Sequence, residues 1–411
     1  MLRWLLLCLF PLLVHAETGR SLSLHEAERL WREHSRELAV QQQAVAGAQA
    51  DVLTAGQIPN PALSLNLQSI SPASGYGAGS LKEKRMDDIL RVEQLLERGG
   101  KRELRQRGAE SRLEAARFDF DDLARQQRAL LRRAYFDLML AQDRQRLAAE
   151  SAELQARGLA VADKRLRAGD IAPVERSRLA VDKARADNEA RQAQSDLEQA
   201  RQALAYLVGY DDPAQPLLAV DAWPVPGALP GEARLDQRPD LEAARRRMAA
   251  AQADRDLARS LRQRDLSIGM QLERNNQGSP TNSFGLGVSM PLFVWHEHEG
   301  EIRRAEADLE SSRLQYEQTR ALAGTQMYQA RSALLAAGDR LQRLEQGLLA
   351  DAERVGAAAE LAYNKGAMGL IDLLDARRTL RQVRFEAATA RADYAKALSD
   401  WQLMAEYGKE K

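Results

Sequence analysis

ALSLNLQ (Ala62–Gln68) and DLSIGMQLE (Asp265–Glu273) alternate apolar and polar residues one by one. A two-residue period belongs to a strand with one apolar face and one wet face. Leu63, Leu65 and Leu67 share a face of the first stretch, with Ser64, Asn66 and Gln68 opposite. Leu266, Ile268, Met270 and Leu272 repeat that arrangement in the second. Around both stretches the chain is rich in Ala, Leu, Gln, Glu and Arg, the composition of long packed helices. Why a helical chain carries two such stretches, and why they are alike, decides the fold.

They are alike because the chain is written twice. AQADVLTAGQIPNPALSLNLQ (Ala48–Gln68) lies over AQADRDLARSLRQRDLSIGMQ (Ala251–Gln271), with AQAD identical and the strands in phase. RVEQLL (Arg91–Leu96) then lies over GVSMPL (Gly287–Leu292), and LRAGDIAPVE (Leu166–Glu175) over YNKGAMGLID (Tyr363–Asp372). Each copy predicts a helix (about 24–55 and 239–261), a strand, a loop rich in Ser, Gly, Pro or Asn, and a return strand. A very long helix follows (about 101–167 and 300–365), then a Gly turn and a final helix. The strands are predicted at about 61–70, 87–96, 265–274 and 283–292. The first repeat covers 17–210, a Pro-rich connector 211–236, and the second repeat 237–411.

The long helices carry coiled-coil seams. Leu113, Ala116, Phe120, Leu123, Gln127 and Leu130 follow 3-4 spacing. Leu140, Leu147, Leu154 and Val161 recur every seven residues, as do Leu334, Leu341, Leu348 and Val355. Such spacing predicts knobs-into-holes packing. A helix of roughly 66 residues is about 100 Å long at 1.5 Å per residue, a length suited to crossing a compartment.

Lys+Arg and Asp+Glu are equal at 59 each, so no basic field points to nucleic acid. Residues 1–16 read as a cleaved signal: Arg3, an apolar run to Val14, then Val14-His15-Ala16. The single cysteine, Cys8, falls inside it, which excludes disulfides and thiol catalysis from the mature chain. No nucleophile–base constellation is present, and neither an enzyme nor a cofactor is expected. No later segment reaches the run of about 18 apolar residues that a membrane helix needs. The strands do have the length and alternation of membrane strands. A membrane sheet must close, and the smallest barrels have about eight strands. Four strands per chain therefore predict an oligomer.

WHEHE (Trp295–Glu299) gathers His296, Glu297, His298 and Glu299. In an extended segment His296 and His298 face one way and offer two ligands to a borderline metal such as zinc. The alternative, polar residues capping the following helix, needs no metal. The spacing is not that of a zinc protease.

With the duplicated plan, RPDLEAARRRMAAAQADRDLARS (Arg238–Ser260), VSMPLF (Val288–Phe293) and YNKGAMGLIDLLDA (Tyr363–Ala376), the chain resembles the TolC-like outer membrane factors of tripartite efflux pumps. PLFVWHEHEGEIRRAEADL (Pro291–Leu309) is similar to the CzcC-type branch that exports heavy-metal cations. The resemblance implies a mainly α fold with a membrane β-barrel: a homotrimer with a 12-stranded barrel on a coiled-coil α-helical tunnel in the periplasm. It implies a periplasmic adaptor, an inner-membrane pump of the resistance-nodulation-division type and outer-membrane lipid as partners. Cargo is expected to be cobalt, zinc or cadmium ions. Drug efflux and type I protein secretion use the same architecture, and a periplasmic coiled-coil scaffold is a further alternative. Strand direction places the Gly turns at the end farthest from the outer membrane, which in the family is the periplasmic aperture and adaptor contact. The resemblance assigns Asp372 and Asp375 to an acidic ring, with Glu175 as the first-copy counterpart, and Tyr363 to the constriction. Met368 stands where many relatives carry a latching arginine. Gly169, Asp170, Gly366 and Gly369 are the implied adaptor-contact turns.

Overall fold

The computed structural model describes residues 20–405 apart from 71, 72, 74, 76, 78, 81–83, 211, 213–215, 229, 230, 232, 233, 277, 278 and 280. The predicted signal, residues 1–16, lies outside the described residues. In chain order the elements are β1 (Arg20–Leu22), α1 (Leu24–His34), α2 (Arg36–Ala55), β2 (Ala62–Gln68), β3 (Asp87–Leu96), α3 (Lys101–Ala168) and α4 (Pro173–Leu207). They continue as β4 (Leu217–Ala219), α5 (Pro239–Ser260), β5 (Leu266–Asn275), β6 (Thr281–Ser289), α6 (Glu299–Arg343), α7 (Ala350–Asn364) and α8 (Leu370–Ala405). No helix among the described residues is long and apolar enough to cross a membrane. The chain divides into two units, one of residues up to 38, 124–234 and from 326, the other of 39–123 and 235–325.

The second unit holds a four-stranded antiparallel sheet in the order β2-β3-β5-β6. Its register aligns Leu63, Val92, Met270 and Leu286 in one row across all four strands, and Leu65, Leu90, Leu272 and Phe284 in the next. All eight side chains are exposed. Opposed apolar pairs of this kind contribute roughly 0.2–1 kcal/mol each. The opposite face carries the row Ser64, Arg91, Gln271 and Gly285. There Arg91 Nη2 donates to Gln271 Oε1 at 2.7 Å, and Ser289 Oγ donates to Glu93 Oε1 at 3.3 Å. One face is thus apolar over these rows, ending in the largely polar row Leu67, Asp88, Arg274 and Asn282, and the other is mainly polar, with Ile89 and Leu95 within it. β2 and β6 each have a single strand neighbour among the described residues.

A turn through Gly99 and Gly100, both at positive φ (79° and 68°), carries β3 into α3. The positive φ favours glycine at Gly99, and a Cβ there would also press on the Gln263 side chain, 3.0 Å from its Oε1. The Asp265 carboxylate before β5 accepts from Lys101 Nζ at 2.8 Å and from the Arg98 N–H at 2.9 Å. Lys101 is buried and also donates to the Gln263 carbonyl at 2.9 Å. This paired charge ties the starts of α3 and β5 together.

In the first unit, β1 and β4 pair in parallel, so part of the connector forms a sheet that the amino-acid pattern gave no sign of. Tyr135 is fully buried beneath it and donates to the Leu22 carbonyl and to Asp221, at 3.0 and 2.8 Å. Burial, then Asp221, push its phenol pKa upward. Gln142 pairs with both backbone groups of Ala219, at 3.0 and 2.8 Å, as a further strand would. Leu334, Leu341, Leu344, Ala390, Tyr394 and Trp401 form another part of this unit's core.

Two helical expectations change. The predicted helix over 24–55 is broken at Ser35, which stands at ψ 117°. Its N–H still bonds back to Trp31 while its hydroxyl accepts from Leu38 N, so one serine ends α1 and caps α2. The heptad line through Leu334 and Leu341 fails at Leu348 and Val355, which are 47% and 56% exposed. A π-helical turn at Leu344–Leu349 is the reason: its extra residue rotates the stripe, and Ala352, Gly356 and Ala359 become the buried positions. In the unbroken α3, Leu130 and Val161 of the predicted seams are likewise exposed, with Leu131 buried in place of Leu130.

Glu28 accepts from Arg128 at 2.8 Å and from Arg132 at 2.5 Å. Burial alone would raise its carboxyl pKa, but the two guanidinium bonds outweigh burial and hold it below the ordinary range. A carboxyl with a depressed folded pKa contributes stability above its unfolded value, about 4.3, and loses it as pH falls through the folded value. Glu28→Gln is expected to cost on the order of 2 kcal/mol at neutral pH. In thermal unfolding followed by circular dichroism, the gap to wild type should close as the buffer is taken below about pH 4.

Candidate gate at the helical turns

Two Gly turns in the first unit repeat one backbone solution. After α3, Gly169 at φ +83° donates to the Leu166 carbonyl and Asp170 to that of Arg165, at 3.1 and 2.9 Å. After α7, Gly366 at φ +75° donates to Tyr363 and Ala367 to Ala362, at 3.0 and 2.8 Å. Both are helix C-caps in which the left-handed residue frees the chain to reverse. Gly169, Asp170, Gly366 and Gly369 are all exposed, while Met368 is half-buried.

The turns present three of the predicted acids together. Glu175 in the first turn of α4, and Asp372 and Asp375 in α8, line one groove of about 750 Å³. Asp372 and Asp375 are exposed and Glu175 half-buried. The acids do not stand alone, because Asp182, Arg178, Arg185 and Arg378 line the same groove. Acids in the first turn of a helix also complement its dipole.

Tyr363 meets a partner that no motif announces. Arg165 Nη1, near the end of α3, donates to the Tyr363 hydroxyl at 3.1 Å, and its guanidinium lies 5.9 Å from the ring centroid. The contact joins a helix of the first copy to one of the second. Behind it, Arg176 pairs with Asp163 across α3 and α4 at 2.8 Å, and Arg377 with Glu360 across α7 and α8 at 2.8 Å. Arg165 is one of many arginines on a charged helix, so only the packing of the hairpins singles it out.

The WHEHE stretch lies in the other unit, between β6 and α6. His298 is not extended; it stands at φ +61°. That angle bends the chain into α6 and carries Glu301 up to the histidines. His296, His298 and Glu301 have their ligand atoms within 4.8 Å of one another. Glu297 and Glu299 are outside this cluster, which corrects the expected ligand set: Glu297 is exposed, and Glu299 faces Arg303 at 3.5 Å.

Residues 230–403 match the family model described as outer membrane efflux protein. The cobalt-zinc-cadmium resistance protein CzcC of Cupriavidus metallidurans is 28% identical over 373 residues, spanning 90% of this chain and 86% of that one. The chain is an outer membrane efflux channel similar to these proteins. This efflux channel of the outer membrane is also 31% identical, over 227 residues, to the outer membrane protein OprJ of Pseudomonas aeruginosa, covering 50% of this chain and 45% of that one. Its fold matches the CmeC outer membrane channel of Campylobacter jejuni with a TM-score of 0.79 at 18% identity, covering 94% and 86% of the two chains. The family's members are channel proteins of efflux systems, not enzymes.

A side chain at Gly366 or Gly169 would meet open space, so the cost of substitution is the left-handed backbone alone, about 1–2 kcal/mol. Gly366→Ala in this efflux channel should speed amide hydrogen exchange around residues 361–373 by about tenfold, and leave exchange in the sheet unchanged.

Proposed function

We propose that three copies of this channel close a 12-stranded barrel in the outer membrane and export divalent heavy-metal cations of the cobalt, zinc and cadmium class. The observation that carries the assembly is the sheet. Its apolar rows are exposed mainly on one face, and β2 and β6 each have one strand neighbour among the described residues. Edges in lipid leave backbone groups unsatisfied, so further copies must supply the missing strands. Trp295, 95% exposed just after β6, suits the aromatic girdle at a membrane surface. The repeats 17–210 and 237–411 then each supply two strands and one long tunnel hairpin, joined through the connector 211–236.

The cargo is inferred from the relative named for cobalt, zinc and cadmium resistance. A passive duct needs a driver, so a periplasmic adaptor and an inner-membrane pump of the resistance-nodulation-division type are the partners. We assign the exposed turns at Gly169, Asp170, Gly366 and Gly369 to the adaptor. Asp372, Asp375 and Glu175 form a carboxylate ring that favours cations. Tyr363 narrows the aperture, and Arg165 holds it there, supplying the guanidinium that position 368, a methionine, does not.

Deletion of the gene should sensitise cells to zinc, cobalt and cadmium salts. Sensitivity confined to organic drugs would overturn the cargo assignment, and recovery as a soluble periplasmic monomer would overturn the channel assembly. In planar bilayers, Asp372→Asn with Asp375→Asn should lower the cation-to-anion permeability ratio. Tyr363→Phe, which removes the Arg165 hydrogen bond, should raise the open fraction.

A further inference from the structure

We propose that His296, His298 and Glu301 bind one zinc-class divalent cation per chain, fastening the exit of β6 to the first turn of α6. Three observations carry the site. The first is distance. Nitrogen and oxygen ligands about 2.0–2.2 Å from a tetrahedral zinc ion stand roughly 3.3–3.5 Å apart. His296 Nε2 lies 3.2 Å from Glu301 Oε1, and His298 Nδ1 lies 3.5 Å from the same oxygen. These separations fit the edges of a coordination tetrahedron, and the second is long for a hydrogen bond.

The second observation is an unmet nitrogen. His298 Nδ1 is buried and has no well-formed hydrogen bond, its nearest acceptor being Glu301 Oε1 at 3.5 Å. A buried polar atom so poorly partnered is costly, and a cation would remove that cost. The third is the backbone. His298 holds φ +61° as a non-glycine residue, a sparsely occupied conformation. That strained turn aims the ring at Glu301 rather than at solvent. The ring is braced from the other side by Phe293, edge-on at 5.2 Å, while the two imidazoles meet at 4.7 Å and 86°.

The donor set of two imidazoles and one carboxylate suits a borderline ion, zinc before magnesium or calcium. Three protein ligands leave a fourth position to water or to an exchanging anion. His296 and Glu301 are exposed, so an ion can enter from solvent. The site is separate from the acidic groove at the turns, and does not depend on which cargo the channel carries.

The test uses full-length protein without a polyhistidine tag, extracted in detergent, stripped with chelator and titrated with zinc chloride. The expected result is one zinc per chain, with cobalt giving the visible bands of a four-coordinate ion. His296→Ala, His298→Asn and Glu301→Gln should each weaken zinc at least about tenfold. Glu297→Gln and Glu299→Gln should leave it unchanged. Asparagine tolerates the left-handed backbone, so His298→Asn keeps the turn while removing the ligand. No zinc uptake by the wild type, or undiminished uptake by His296→Ala combined with His298→Asn, would overturn the site. Binding is read on the purified protein, so its failure is distinct from a failure of metal export in cells.

Discussion

Everything in this chain answers to the backbone of four strands. A sheet whose outward face is Leu63, Leu65, Val92, Met270, Leu272 and Leu286 cannot stay in water without partners. In lipid that face is at ease, but β2 and β6 then each expose a row of backbone donors and acceptors. The apolar face asks for a membrane and the open edges ask for more strands. Both demands are met when copies join edge to edge. The proposed oligomerisation is then a consequence of strand count rather than an added property.

Duplication halves the problem of building such a chain, but the copies are not interchangeable. Their Gly turns use the same pair of capping hydrogen bonds. Asp163 and Glu360 hold matching places and each pairs with an arginine of the following helix. The long helices differ. α3 runs unbroken for 68 residues, whereas its counterpart is interrupted by the π turn at Leu344–Leu349. One added residue moves the buried stripe off Leu348 and Val355. Apolar side chains so displaced are available to other surfaces, which a strict repeat would not provide.

What could be read in the amino-acid pattern follows the range of the physics. Strand alternation is local, and Leu63, Leu65 and Leu67 declare it within seven residues. Gly169 and Gly366 declare their turns because few residues tolerate a left-handed backbone. The β1–β4 pairing was silent, since three-residue strands carry too few positions for a period. The heptad line was legible but misleading past Leu341, because a π turn leaves no sequence mark as plain as a proline. Arg165 and Glu301 were missed for a shared reason. Each is one charge among many on a charged helix, and each acquires its role only from what tertiary structure brings beside it.

That pattern bears on how selectivity arises in a chain whose positive and negative residues balance at 59 each. Net charge gives no steering here, so the proposed preference for cations rests on placement. At the turns, Asp372 and Asp375 share their groove with Arg178, Arg185 and Arg378. Such a groove discriminates only if packing directs the acids to the passage and the arginines to neighbouring helices. Arg377, next along α8 but outside the groove, is committed to Glu360, and a guanidinium so committed no longer cancels another carboxylate. Under the proposed gate, the charge a passing ion meets depends on which of these arginines turn to carboxylates outside the groove.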